Sequence, residues 1–377
     1  MTRKAVIGGI GHTEFGRFPE RTAFDLEVEA ARRAVEDAGL RPDEVDGLIT
    51  DPGPAQGILD GITPHYLALG QYLGIDPAYA GSDILGGASS AAIVQRAVLA
   101  VEAGLCSVCL CVYGDSALSS PGSFGYGRGD DAAFGLFGAV GLHALAARRH
   151  MHRWGTTSGQ LAEVAIAARA HAMRTPHAQK RQPLTLKQYQ AADSIVEPLN
   201  RHDCCLVSDG AAAVLVVSSD RAADLRHMPT RILGHGQASS LSTWSSPGHF
   251  DTLPAARCGP EAFARAGVST ADVDVAMLYD CFTIVVLMQL EDYGFCERGE
   301  AGAFVAEGRI GPGGSFPVNP SGGLLAEGYG GGMMHIIEAV RQLRGIAGER
   351  QLDAPEIALV TGHGLGMNTH STLILAA

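Results

Sequence analysis

The chain has 377 residues, 46% hydrophobic and 18% charged, the profile of a globular protein with a large core in one or two fused domains. Its net charge of −12 excludes a nucleic-acid-binding surface, which needs a basic excess. The 49 glycines fall in short clusters; this excludes collagen-like and low-complexity chains and marks places where backbone approaches something closely.

The opening "MTRKAVIGGIGHTEFG" reads as a first strand. Its apolar run is too short for a signal peptide or a membrane span, so a cytoplasmic protein with reduced cysteines and no membrane contact is expected. Gly9 and Gly11 begin a G-x-G, but the sixth position is Glu14. An acid there would face a pyrophosphate, which removes the dinucleotide reading. There is no P-loop and no G-x-S-x-G elbow.

Thr22 and Asp25 predict a capping box with a shorter acid. Phe24, Val28, Ala31, Val35 and Ala38 then share one helical face. "GGASSAAIVQRAVLAVEAGLCSVCLCVYG" (86–114) reads as glycine turn, helix and strand. Cys106, Cys109 and Cys111 fit no zinc spacing and are expected as small core residues.

Residues of about 115–200 differ in character and are read as an insertion over the sheet core. "SSPGSFGYGRGDD" reads as loop and 158–174 as helix. Arg148, Arg149, Arg153, Lys180 and Arg181 could meet an anionic ligand or form a solvated surface. "HDCC" (202–205) is expected as a structural turn before the strand "AAAVLVV", because adjacent cysteines on a strand cannot both point inward.

The second half repeats the first. "AGLRPDEVDGLI" (38–49) matches "AGVSTADVDVAM" (266–277), each after an amphipathic helix and before an apolar strand. "GGMMHIIEAVRQLRG" (331–345) followed by "EIALVTGHGLG" (356–366) repeats the turn–helix–strand order of 86–114. Alternating helices and strands predict parallel α/β sheets covered by helices.

Four segments carry the chemistry: "GGASS" (86–90), "YDCFT" (279–283), "NPSGGLLAEGYGGG" (319–332) and "TGHGLG" (361–366). Together with "DCCLVSDGAAAVLVVSSDRA" (203–222), they resemble the thiolase superfamily, most closely its sterol-carrier-protein-type branch, over nearly the whole chain. The resemblance implies a thiolase-like five-layer αβαβα sandwich of two duplicated halves: 1–225, including the insertion, and 226–377. It also implies a homodimer and acyl-CoA thioester substrates.

The departures from the family pattern decide the reaction. Gly87 stands where the family keeps its nucleophilic cysteine. Tyr279 replaces the Asn or His of the N-E-A-F or H-D-C-F motif, and Tyr329 the histidine of G-H-P. Thr361 stands at the last catalytic position, with His363 two residues on. Without a thiolate there is no acyl-enzyme, and Ser89 and Ser90 have no visible base.

Two phenols suit a retro-aldol step on a β-hydroxyacyl thioester. One takes the β-hydroxyl proton and the other returns a proton to the enolate carbon. The dipole of the helix after Tyr329 is expected to favour its phenolate. Backbone amides at Gly87, Gly330 and Gly364 are candidates to hold the thioester oxygen. His363 either faces the site or caps a turn, and Asp280 either orients Tyr279's surroundings or holds a loop.

The pattern is similar to the thiolase-like aldolases that shorten steroid side chains in bacteria. That similarity implies cleavage of a 17-hydroxy steroid with a short CoA-thioester side chain to a 17-ketone and propionyl-CoA or acetyl-CoA. It implies no cofactor and no metal, and an OB-fold, zinc-ribbon partner that can be fused to a hydratase. Two other readings stay open: a non-catalytic acyl-CoA or lipid carrier, and a structural subunit that stabilises a partner enzyme.

Overall fold

A computed structural model describes residues 3–53, 63–120, 133–136, 138–240 and 250–377. Among these, nine strands form one mixed sheet. They are β1 (Ala5–His12), β2 (Gly47–Pro52), β3 (Tyr79–Ser82), β4 (Val108–Ser116), β5 (Asp209–Ser218), β6 (Thr230–Ser239), β7 (Val275–Met277), β8 (Ile357–Gly364) and β9 (Thr369–Ala376). Their order is β3-β2-β4-β5-β1-β6-β9-β8-β7. The two half-sheets meet where β1 pairs with β6, at Val6 with Arg231 and Ile7 with Thr230.

The eight main helices of the described residues are α1 (Ala23–Ala38), α2 (His65–Leu73), α3 (Ser89–Glu102), α4 (Gly138–Trp154), α5 (Ser158–Ala172), α6 (Ala255–Ala266), α7 (Thr283–Asp292) and α8 (Met333–Leu343). Helix α3 touches β2, β4 and β5 of one half-sheet and β8 and β9 of the other, and α8 also bridges both. Helices α1 and α2 cover the outside of the first half-sheet and α6 the outside of the second. The order across the molecule is therefore helix, sheet, helix, sheet, helix.

The predicted parallel sheets are a mixed sheet instead. Only β2–β3, β2–β4 and β7–β8 run parallel. Parallel pairing needs a crossover, and β8 turns straight back into β9 through residues 365–368.

The alternation of β4 divides two cores. Val108, Leu110 and Val112 join an outer cluster with α1 and α2. Cys109, Cys111 and Tyr113 point into the central cluster with α3 and α8. Cys106, Cys109 and Cys111 are free and buried, as expected of core thiols.

The internal repeat is structural in detail. Helices α1 and α6 end on Gly39 and Gly267 in the left-handed region (φ 77° and 70°), and each is followed by a short 3₁₀ turn. Asp46 then accepts from the amides of Ser107 and Val108, and Asp274 from those of Glu356 and Ile357. The same carboxylate ties the same strand entry in both halves. Thr22 and Asp25 form the expected capping box. Phe24, Ala31, Val35 and Ala38 are buried, with Val28 half-buried at the margin.

Within the insertion, 158–172 is helical, as the sequence predicts. The loop reading of "SSPGSFGYGRGDD" falls at 121–131 outside the described residues.

Candidate active site

Tyr279 follows β7, and a ring of polar contacts clamps its backbone. Its amide donates to Thr361 Oγ1 (2.8 Å), whose hydroxyl donates to Gln289 Oε1 (2.5 Å). Gln289 Nε2 donates back to the Tyr279 carbonyl (2.8 Å). Thr361 therefore holds a catalytic candidate in place.

Tyr329 sits on the glycine turn before α8. Its amide donates to Ser208 Oγ (3.1 Å), to which Gln179 Nε2 also donates (2.5 Å). Asp280 accepts from the amides of Leu324 and Leu325 (2.9 and 3.2 Å) and bonds His335 Nε2 (3.0 Å). Of its two expected roles, the contacts give it the loop-holding one. Behind Tyr329, Glu327 accepts from Ser321 (2.6 Å) and pairs with His177 (2.8 Å). The insertion joins this loop through the amides of Gln179 and Lys180, which donate to the carbonyls of Glu327 and Ala326.

These two clamps bring the Tyr279 and Tyr329 phenol oxygens to 3.1 Å. The rings are 1% and 8% exposed, so the pair is nearly sealed by protein, with Tyr329 nearer the outside. A Cβ on Gly87 would lie 2.0 Å from both Cζ and Oη of Tyr279. The phenol occupies the room that a side chain at 87 would need. Gly364 packs against the same turn, 1.9 Å from Cβ to the Leu85 carbonyl, while Gly330 faces Met334 and Phe15. Gly87, Gly364 and the two tyrosines thus converge, and Gly330 lies to one side.

Burial pushes both phenols above their ordinary value. For Tyr279 the neighbouring Tyr329 and Cys281 add to the rise; for Tyr329 the Cys205 thiol does. The expected phenolate at Tyr329 is corrected: α8 begins at Met333, four residues on, and burial favours the protonated phenol. The bond between the two phenols works in opposite directions, raising Tyr279 and lowering Tyr329. Both phenols therefore hold their protons through the neutral range.

His363 does not cap a turn. Its Nε2 lies 3.2 Å from Nε2 of His143, and Cys281 Sγ joins them within 4.8 Å. His143 Nδ1 bonds the Ala139 carbonyl (2.7 Å), which can only accept, so its Nε2 is an acceptor and His363 the donor. Burial, then His143 and His370, holds His363 well below its ordinary value, and burial pushes the Cys281 thiol up. The three atoms have the spacing to hold a soft cation, and the neutral histidine pair satisfies the two Nε2 positions without one.

A second feature is a basic pocket lined by Arg169, Lys180, Arg201, His202, Cys204, Leu206 and Leu325. Cys204 bridges to Phe282, the amide of Cys205 donates to the Cys281 carbonyl and that of Leu206 to the Leu324 carbonyl. The pocket therefore opens beside both tyrosine-bearing loops. Of the five basic residues singled out in the insertion, only Lys180 lines it. Arg148 pairs with Glu197, Arg149 and Arg153 both pair with Asp251, and Arg181 donates to the Pro176 carbonyl.

"HDCC" is a turn, as expected. Asp203 accepts from Tyr189, Asn200 and Thr283. Sequence reasoning missed Cys205, Tyr113 and Asp51 as neighbours of the phenol pair. Tyr113 carried a usable signal: it shares a strand face with Cys109 and Cys111, which the alternation sends inward.

A family model described as "Thiolase C-terminal domain-like" matches residues 236–377. A steroid side-chain-cleaving aldolase of Thermomonospora curvata is 36% identical, covering 99% of this chain and 98% of its own length. A 17-hydroxy-3-oxo-4-pregnene-20-carboxyl-CoA lyase of Mycobacterium tuberculosis is 35% identical, covering 97% and 98%. The solved structure of an Ltp2-ChsH2(DUF35) aldolase matches with a TM-score of 0.88 and 37% identity over 99% of this chain and 98% of that one. A human mitochondrial 3-ketoacyl-CoA thiolase matches at 0.74 with 16% identity, over 100% and 99%; that likeness is one of fold.

Proposed function

The chain belongs to the thiolase superfamily, in its sterol-carrier-protein-type branch, and we propose that it is an acyl-CoA aldolase that cleaves a 17-hydroxy steroid carrying a short CoA-thioester side chain. The products are a 17-keto steroid and propionyl-CoA or acetyl-CoA. The observation that carries this reading is the contact of two buried phenols at 3.1 Å over a glycine at position 87. A thiolase needs a nucleophile at that point. A retro-aldol needs only proton transfer.

The net reaction moves one proton from the β-oxygen to Cα, so two neutral phenols can begin and end neutral. Tyr329 receives the β-hydroxyl proton and passes its own across the 3.1 Å bond. The O–H electron pair becomes the carbonyl π bond, and the Cα–Cβ pair becomes the thioester enolate. Tyr279 then delivers a proton to Cα. The greater exposure of Tyr329, 8% against 1% for Tyr279, supports its place at the oxygen end. The amides of the glycine turns at Gly87 and Gly364 are the candidate donors to the thioester oxygen.

The basic pocket supports an anionic substrate. Arg169, Lys180 and Arg201 offer charge to the phosphates of CoA, His202 stays neutral because burial and these cations lower its pKa, and the pantetheine arm runs past Leu206 and Leu325 toward the phenols. The chain acts as a homodimer with an OB-fold, zinc-ribbon partner. The DUF35 component of the solved Ltp2-ChsH2 relative supports that partnership. No described helix is long and apolar enough to cross a membrane.

The test is product analysis. The chain is co-expressed with its OB-fold partner and given a 17-hydroxy steroid with a short CoA-thioester side chain, beside Tyr329→Phe. A 17-ketone from the wild type alone is expected. CoA-ester binding with no ketone from either protein would favour a carrier instead.

A further inference from the structure

We propose that Tyr113 is a third substrate-facing phenol, whose O–H donates a hydrogen bond to the thioester carbonyl oxygen as that oxygen becomes the enolate. This rests on the aldolase reading and adds a residue to it. Tyr113 lies on β4, on the face that points into the central layer. Its ring meets that of Tyr329 edge-on, with centroids 6.4 Å apart at 71°. Gly331, one residue after Gly330, leaves the room for it: a Cβ there would sit 2.5 Å from the Tyr113 ring.

The side chain is 2% exposed, and its hydroxyl has no hydrogen-bond partner among the described residues. A buried phenol ordinarily finds one, because an unpaired O–H in the interior is costly. Every other part of this side chain is accounted for by packing. The hydroxyl is not, and the ring that carries it lies against Tyr329, one of the two phenols that handle the proton.

The chemistry calls for one more donor, and this group fits the part. Tyr279 and Tyr329 are engaged with each other and with the travelling proton, while the negative charge collects on the thioester oxygen. A donor there must keep its proton. Burial, then the nearby Asp115, Tyr329 and Asp51, pushes the Tyr113 phenol well above its ordinary value, so it remains a donor. No bond to Tyr113 forms or breaks. Its contribution grows as charge develops, as expected of an oxyanion donor.

The test uses the full chain with its OB-fold partner and compares wild type with Tyr113→Phe. Phenylalanine keeps the ring packing and removes only the unpartnered hydroxyl. For steroid–CoA cleavage kcat should fall about 10²-fold with KM little changed, the scale of one lost oxyanion donor. Exchange of the α-protons of propionyl-CoA or acetyl-CoA with deuterated water reads enolate formation without C–C cleavage, and should fall in parallel. The melting temperature should hold or rise. Normal cleavage and exchange in Tyr113→Phe would overturn the assignment, and so would losses that come only with a lowered melting temperature. A wild type that neither cleaves nor exchanges would instead sink the aldolase reading on which it rests.

Discussion

Tyr279 leaves no room for a side chain at Gly87. A Cβ at 87 would meet the Tyr279 phenol at 2.0 Å, far inside van der Waals contact. The helix α3 turn and the strand exit after β7 are both fixed by backbone packing, with Gly364 wedged against Leu85. A side chain at 87 and this placement of the phenol are thus mutually exclusive.

Restoring the family cysteine should not restore family chemistry. Gly87→Cys is expected to cost about 1–3 kcal/mol, the range for overpacking a core, and to abolish aldol cleavage by displacing the phenol. Gly87→Cys with Tyr279→Ala should regain neither stability nor the aldolase, because a Cβ at 87 also meets the His363 carbonyl at 2.5 Å and the lost ring leaves a cavity. Thermal denaturation and turnover of the two variants check this, and an active, stable single variant would contradict the geometry.

Removing either phenol should break the proton path. Tyr279→Phe and Tyr329→Phe are each expected to lower turnover about 10²–10⁴-fold, the usual scale for a positioned acid or base, while CoA-ester binding persists. Because the two act as one relay, the double variant should be little worse than the poorer single. Additive losses would mean that the phenols work independently.

The pH profile separates a neutral relay from a phenolate base. With both phenols raised, kcat should stay flat through the neutral range instead of climbing toward an ordinary tyrosine value of about 10. Above that value the unfolded chain releases protons that the folded one retains, so stability falls as pH rises.

At the acid end Glu327 gives the opposite slope. Burial opposes its charge, but the bonds from His177 and Ser321 outweigh that and bring it from 4.5 to about 2. Its contribution is full above 4.5 and is lost as pH falls toward 2. Chemical denaturation across this range should show the loss, and Glu327→Gln should flatten it.

The basic pocket predicts a pure binding effect. Arg201→Ala or Arg169→Ala should raise KM for the CoA thioester about tenfold, equivalent to about 1.4 kcal/mol, and leave kcat near normal. Added salt should weaken wild-type binding more than binding by either variant. A fall in kcat with unchanged KM would place the CoA elsewhere.

Much of this molecule is written in local pattern. The repeated "AGLRPDEVDGLI" and "AGVSTADVDVAM" specify a left-handed glycine cap, a 3₁₀ turn and a strand entry, since those features depend on neighbours a few residues apart. The capping box at Thr22 and the inward face of "CSVCLCVYG" follow for the same reason. Position in the family motifs likewise singled out Tyr279 and Tyr329 as a pair. The mixed direction of the sheet was less legible, because strand direction depends on how a connection crosses, and the β8–β9 turn resembles any glycine-rich loop.

What only tertiary structure decided are the quantities that depend on distance through space. The sequence separation of 50 between the two tyrosines says nothing of their 3.1 Å contact, which arises from clamps by Thr361, Gln289 and Ser208 on separate elements. The ionisation of the phenols turned on burial, which a helix start inferred from sequence does not report. Tyr113 was visible as an inward residue, but its unpartnered hydroxyl was not. A chain spells out its own turns and faces because these are fixed by short-range sterics. Which buried atoms meet, and which go without a partner, is settled only when distant segments pack together.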